Sequence, residues 1–177
     1  MTASPSLTAS DEVWRDYATE CNTQLMDVLA EYLSERFGYK RKYVRQTLST
    51  RRVTLTAYSL RYDLYFRLFP PQRDFWPREC LILARIMFKQ ERAGHGRALL
   101  ELLISLAPTF GFKYLAIESA NEKASAFAAR MGFTAFENGN HWVGSIEDVK
   151  RATCDVQDRG TTQPNQALPL SVPPTKQ

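Results

Sequence analysis

The stretch that most constrains this chain is Ile86-Met-Phe-Lys-Gln-Glu-Arg-Ala-Gly94-His-Gly96-Arg-Ala-Leu-Leu100. It begins inside an apolar run, Cys80 to Phe88, of the kind that forms a central strand covered on both faces. It ends in a helical pattern from Gly94 to about Leu106, with Leu99, Leu100, Leu102, Leu103 and Leu106 on the inner side and Pro108 and Gly111 closing it. Between them is a short loop with two glycines one residue apart. The first N–H groups of a helix are unpaired, and its dipole adds about half a positive charge at that end. Glycine lets an anion reach the backbone with no Cβ in the way. Arg92 and Arg97 flank the loop with full charges. Such a turn is a cradle for phosphate or pyrophosphate; the plainer reading is that the glycines only close a tight strand-to-helix connection. Neither common nucleotide loop is present. A P-loop needs Lys-Ser or Lys-Thr after the second glycine, where Arg97-Ala98 stands. The dinucleotide fingerprint needs a third glycine at Leu99.

The remaining chain narrows the class. It has 177 residues, enough for one domain with a tail, and its 23 basic and 19 acidic residues leave a net charge of +4. Charges interrupt every apolar run well short of the roughly 18 residues of a membrane span. No basic-then-apolar start predicts a secretory signal. Three scattered cysteines and two histidines argue against a disulfide framework or a zinc site, and a cytoplasmic location is expected. Residues 1–10 read as a flexible leader. Asp11 is a candidate cap for a helix carrying Trp14, Tyr17, Cys21, Leu25, Val28, Leu29, Tyr32 and Leu33 at spacings of three and four, ending near Phe37-Gly38. A basic stretch from Arg36 to Arg52 follows. Val53–Tyr58 and Tyr62–Phe69 predict a hairpin turning at Ser59–Arg61. Lys113–Ser119 is a further strand, Asn121–Met131 a helix stopped by Gly132, and Phe133–Glu137 and His141–Gly144 two late strands around Asn138-Gly139-Asn140. Helical potential fades after Ile146–Ala152. Residues 155–177 hold four of the nine prolines and no aromatic residue, so the end, from 153 on, reads as a disordered tail after a domain at 11–152. The fold class is α/β (α+β), a mixed central sheet flanked by helices.

The loop Glu91-Arg-Ala-Gly94-His-Gly96, with Tyr114-Leu-Ala-Ile-Glu-Ser-Ala-Asn121 and Ala126-Phe-Ala-Ala-Arg-Met-Gly-Phe133 downstream, resembles the GNAT (Gcn5-related N-acetyltransferase) superfamily. The resemblance covers roughly residues 80–145, with Asn121 lying 25 positions after Gly96. It implies a GNAT-like sheet with a splayed pair of central strands, acetyl-CoA as cofactor, and transfer of an acetyl group to an amine. It implies that the backbone of Ala84, Arg85 and Ile86 pairs with the pantetheine arm. Arg92, Ala93, Gly94, His95, Gly96 and Arg97 would hold the pyrophosphate, and Asn121 and Phe127 would line the thiol end. Two positions depart from the pattern. Glu91 stands where Arg or Gln is preferred, and Ala128 where many members carry the tyrosine that protonates the leaving thiolate.

Amine acetylation needs a neutral amine, a polarised carbonyl and a stabilised thiolate. The strand amide near Ile86 suits the carbonyl oxygen. Glu118 is the best-placed base, or else a surface carboxylate beside the next helix. Ser119 and Tyr114 are candidate thiolate donors. His95, inside the loop, reads as a solvent or phosphate contact. His141 could border the acceptor cleft or simply pack, and Cys80 reads as core. The acceptor is an amine of a protein, a small molecule or an aminoacyl-tRNA. The stretch Arg36–Arg52 would attract RNA, DNA, an acidic protein or the 3′-phosphate of CoA, or is a solvated loop. Phe75 and Trp76 could form a substrate wall, a homodimer contact or core. The other readings of the whole chain are a catalytically altered CoA-binding adaptor and a nucleic-acid-directed modifying member.

Overall fold

The computed structural model describes residues 3–39, 43–48, 53–136 and 139–160. Helix α1 (Asp11–Phe37) is followed by β1 (Val44–Leu48), β2 (Val53–Tyr58), β3 (Tyr62–Leu68), β4 (Cys80–Phe88), α2 (His95–Phe110), β5 (Tyr114–Ile117), α3 (Glu122–Arg130), β6 (Thr134–Phe136), β7 (His141–Ser145) and α4 (Ile146–Gly160). The strands form one sheet in the order β1-β2-β3-β4-β5-β7-β6. All neighbours are antiparallel except β4 and β5, which α2 connects as a parallel pair.

Helix α1 buries Trp14, Tyr17, Cys21, Leu25, Leu29 and Leu33, one stripe at spacings of three and four, against the sheet face that carries Leu55, Leu64, Leu81 and Leu115. Each such fully buried side chain contributes about 1.5–3 kcal/mol. Its cap is Ser10 rather than Asp11: the Ser10 hydroxyl accepts from the Val13 amide. Asp11 instead pairs with Arg78 at 2.5 Å and accepts from the Gln72 amide, which tethers the helix start to the β3–β4 loop. These partners hold the Asp11 carboxyl below its ordinary value. The segment before it, read as flexible, is also tied down: the Trp14 indole donates to the Ser6 carbonyl at 3.1 Å. Gly38, left-handed at φ 66°, ends the helix as expected.

Strand β1 falls inside the basic stretch and was not foreseen. Its residues pair from Val44↔Ala57 to Leu48↔Val53 and extend the predicted hairpin by one edge strand. Arg45 lies exposed on it, whereas Lys40, Arg41, Lys42, Arg51 and Arg52 lie outside the described residues, as does Asn138 of the late turn. Helix α2 runs through Pro108 to Phe110 before Gly111 stops it; one missing N–H near the C-terminus removes a single bond. Helix α4 continues to Gly160, past the end expected at Ala152. The proposed tail beyond 160 lies outside the described residues. None of the described helices is long and apolar enough to cross a membrane.

The central strands part. β4 and β5 pair from Cys80↔Tyr114 to Leu83↔Ile117, and the Glu118 amide makes the last link, 3.1 Å to the Leu83 carbonyl. β5 ends there while β4 continues to Phe88. On the β3 side, Phe66 faces Leu83 but Tyr65 faces Arg85, so Ala84 is an extra residue, a β-bulge. Before it, Leu81 and Leu83 point into the helix-covered core; after it, Ile86 and Phe88 do. The bulge bends β4 where it leaves β5, as expected for splayed central strands.

Candidate functional site

Beyond its pairing with β5, β4 runs on to Phe88, and the loop that follows it enters α2 at His95. Gly94 caps that helix at φ 74° and ψ 7°, with no side-chain bond to its amides, and no acidic residue occupies the first turn. Arg92 is also left-handed, at φ 58°, an uncommon state for a residue with a Cβ and a cost of about 1–2 kcal/mol. Left-handed residues at 92 and 94 belong to the class of turn whose amides can line an anion-binding concavity. A Cβ placed on Gly94 would meet no atom within 4 Å, so the space before the helix is open.

Gly96 serves a different purpose. A Cβ there would lie 3.1 Å from Cε2 and Cζ of Phe127, so this glycine lets α3 close onto α2. Phe127, expected at the thiol end, packs its ring over the first turn of α2. Glu91 does not confront the turn alone: it pairs with Lys123 of α3 at 2.7 Å, which holds its carboxyl below the ordinary value. Arg97 lies along its own helix against Glu101 at 2.9 Å. Of the two flanking arginines, Arg92 is the one left at the loop, and it is exposed.

The His95 ring, expected as a solvent or phosphate contact, is half-buried. It packs on Phe37 and Phe88, with centroids 4.7 and 5.4 Å away, and its Nδ1 accepts from Nε of Arg36 at 2.9 Å. Burial, then the Arg36 charge, hold its pKa below 6.5. The unfolded chain, with an ordinary imidazole, takes up its proton first as the pH falls, so this contact stabilises the fold above about 6.5 and the gain is lost below it. Denaturant melts from about pH 7.5 down to 5 should show wild type losing stability relative to His95→Asn, which lacks the titrating ring. Parallel curves would remove His95 from the account.

At the apex stand Glu118 and Ser119. Glu118 Oε1 receives a 2.6 Å bond from Arg67 of β3, a buried side chain whose other arm lies 3.7 Å from Asp74. Ser119 is left-handed at φ 50°, and its amide donates to Nδ1 of His141 at 3.2 Å. The His141 ring rests against Phe75 and Trp76 at 5.2 and 5.5 Å, and Phe75 stacks on Phe136 at 5.9 Å. Trp76 is core, whereas Phe75 is 44% exposed. An aromatic wall thus flanks the apex on the face covered by the β3–β4 loop. Asn121 caps α3 by accepting from the Ala124 amide at 2.9 Å, so its side-chain oxygen is engaged. Ala128, at the position of the family tyrosine, is fully buried. Cys80 is core, and burial raises its thiol pKa well above the ordinary value.

Tyr114 is not brought to this group. It starts β5 opposite Cys80, three residues before the last paired position, which is about 10 Å along a strand. There it lines a separate hollow of about 570 Å³ with Glu79, Pro108 and Glu147. A second hollow, of about 760 Å³, lies between the start of α1 and Pro70-Pro71. Neither takes in Gly94 or Glu118. Arg67, which nothing in the sequence singles out, stands beside Glu118, and Asp74 beside Arg67. Among the described residues no cluster of His, Cys, Asp and Glu could hold a metal.

No protein-family model matches the chain, and no curated protein is significantly similar to it in sequence. Solved structures are similar over part of its length. Tetrahymena Gcn5 is 13% identical over 70% of this chain and 88% of its own, with a TM-score of 0.41. The KacTA–DNA complex is 18% identical over 73% and 86%, with a TM-score of 0.39. A GNAT family N-acetyltransferase from Escherichia coli in complex with CoA is 15% identical over 55% and 61%, again at 0.39. At such TM-scores the superpositions are partial, and the fold is read from the chain itself. Its mixed seven-stranded sheet, its parallel pair parting at a bulge and its glycine turn agree with the fold that the sequence resemblance to GNAT proteins led one to expect.

Proposed function

We propose that this chain is an acetyl-CoA-dependent N-acetyltransferase. The observation that carries the reading is the fork: β5 ends at Ile117 while β4 runs on to Phe88, and the loop after β4 enters a helix with no side-chain cap and open space beside its Gly94. The turn residues Arg92 to Arg97 fit a diphosphate through their amides, and the β4 backbone at Ala84–Ile86 fits an extended polyamide arm as an added strand does. When bound there, acetyl-CoA supplies an acetyl group already activated as a thioester.

The chain's own residues then have the following work. Backbone amides past the bulge polarise the carbonyl. Glu118 takes the amine proton, directly or through one water. Ser119, beside it, donates toward the departing sulfur in place of the tyrosine that Ala128 replaces. Phe75, Phe136 and His141 form the wall against which the acceptor lies. The acceptor is the amine of a protein, a small molecule or an aminoacyl-tRNA.

The buried Ala128 and the engagement of Glu118 by Arg67 favour one second reading, a CoA-binding adaptor without turnover. Labelled acetyl-CoA mixed with cell lysate and the protein separates the two. Transfer of label onto an acceptor is expected. Calorimetric binding of CoA with no transfer supports the adaptor, and no binding of CoA or acetyl-CoA overturns both.

A further inference from the structure

We infer that Arg67 is a positioning residue for Glu118, and that through Asp74 it couples the carboxylate to the aromatic loop. The inference rests on the acetyltransferase reading. Arg67 faces Ile82 in register, Ile82 faces Ala116, and Glu118 lies two residues beyond Ala116 on the same side of the sheet. The guanidinium therefore lies beneath the apex of the fork. Its side chain is only 9% exposed, and its Nε is buried without a hydrogen-bond partner among the described residues.

A cation so placed is costly unless carboxylates surround it. Glu118 supplies the near one at 2.6 Å and Asp74 the far one at 3.7 Å. The short bond fixes Glu118 through Oε1 and leaves Oε2 as the oxygen that takes a proton. Asp74 immediately precedes Phe75 and Trp76, so the same guanidinium fixes the loop that carries the aromatic wall. A surface ion pair of this kind would contribute little. This one is buried, lies at the point where the strands part, and joins the two sides of the acceptor cleft.

The test uses full-length protein, acetyl-CoA and whichever amine the lysate experiment yields. Arg67→Met, of similar length and without charge, should lower kcat by about a hundredfold, the cost of about 1 Å of misplacement. KM for the amine and the calorimetric affinity for CoA should change by less than about threefold. Arg67→Lys should recover part of kcat, which also keeps the test valid if the methionine variant fails to fold. Arg67→Met combined with Glu118→Gln should be no slower than Glu118→Gln alone, because the arginine acts through the glutamate. Multiplied losses in the double variant, or a wild-type kcat in both single arginine variants, overturn the inference while leaving the acetyltransferase reading intact. A wild-type protein that transfers no acetyl group overturns the reading first, and the inference with it.

Discussion

Acetyl-CoA affinity is expected to fall at least about a hundredfold when Gly94 is replaced by valine. The residue holds φ 74° and ψ 7° at the start of α2. A β-branched side chain resists that conformation at a cost of about 1–2 kcal/mol, and the turn relieves it by rotating the amides that should face an anion. The added carbons meet nothing in the protein, because a Cβ there has no neighbour within 4 Å. They project instead into the space that the proposed diphosphate would occupy. Hydrogen bonds to a charged group contribute about 1.5–3 kcal/mol each, so losing two costs about 3–6 kcal/mol, a hundredfold or more in Kd. Gly96→Val should behave differently. Its Cβ would lie 3.1 Å from the Phe127 ring, so it loosens α3 against α2 and lowers the melting temperature before it touches binding. Calorimetry with CoA and acetyl-CoA, beside thermal melts of both variants, separates the two glycines. Unchanged CoA affinity in the Gly94 variant counts against the entire assignment.

The features legible in the sequence are those whose physics is local. The turn at Gly94 and the left-handed stops at Gly38, Gly111 and Gly132 depend on a residue and its next few neighbours. The β2–β3 hairpin and the apolar β4 follow from alternation and from continuous hydrophobicity. What stayed hidden depends on partners distant in the chain. β1 is masked by its basic surroundings and forms because β2 offers it an edge. The bulge at Ala84 exists only relative to β3. Asp63, Tyr65 and Arg67 alternate as an outward face should, and nothing nearby in sequence says that the loop carrying Asp74 and Trp76 covers the last of them. Tyr114 opens β5 and Glu118 follows its last residue, and only the point at which β4 departs decides which of them stands at the fork. His95 looks like a loop residue until Phe37 and Arg36, from the end of α1, close over it.

Glu118→Gln should lower kcat by about 10²–10⁴-fold, the usual contribution of a general base. The substitution keeps the shape but removes the negative charge and the ability to take a proton. CoA affinity should be unchanged, since Glu118 follows β5 and is not part of the Arg92–Arg97 turn proposed to hold the diphosphate. A second effect follows from the 2.6 Å bond to Arg67: the amide leaves a buried guanidinium with a neutral near partner, at a cost of about 1.5–3 kcal/mol. A protein of this length loses about 2–4 °C of melting temperature per kcal/mol. Rates must therefore be measured well below the variant's own midpoint, where the folded population is complete and only the chemistry differs. Glu118→Asp then tests placement. It keeps the charge but draws the carboxylate back by one carbon, either from the Arg67 bond or from the fork, so it should recover stability more fully than rate. A glutamine variant with wild-type kcat would move proton removal to another group at the apex, with Ser119 and His141, already joined through the Ser119 amide, the first to examine.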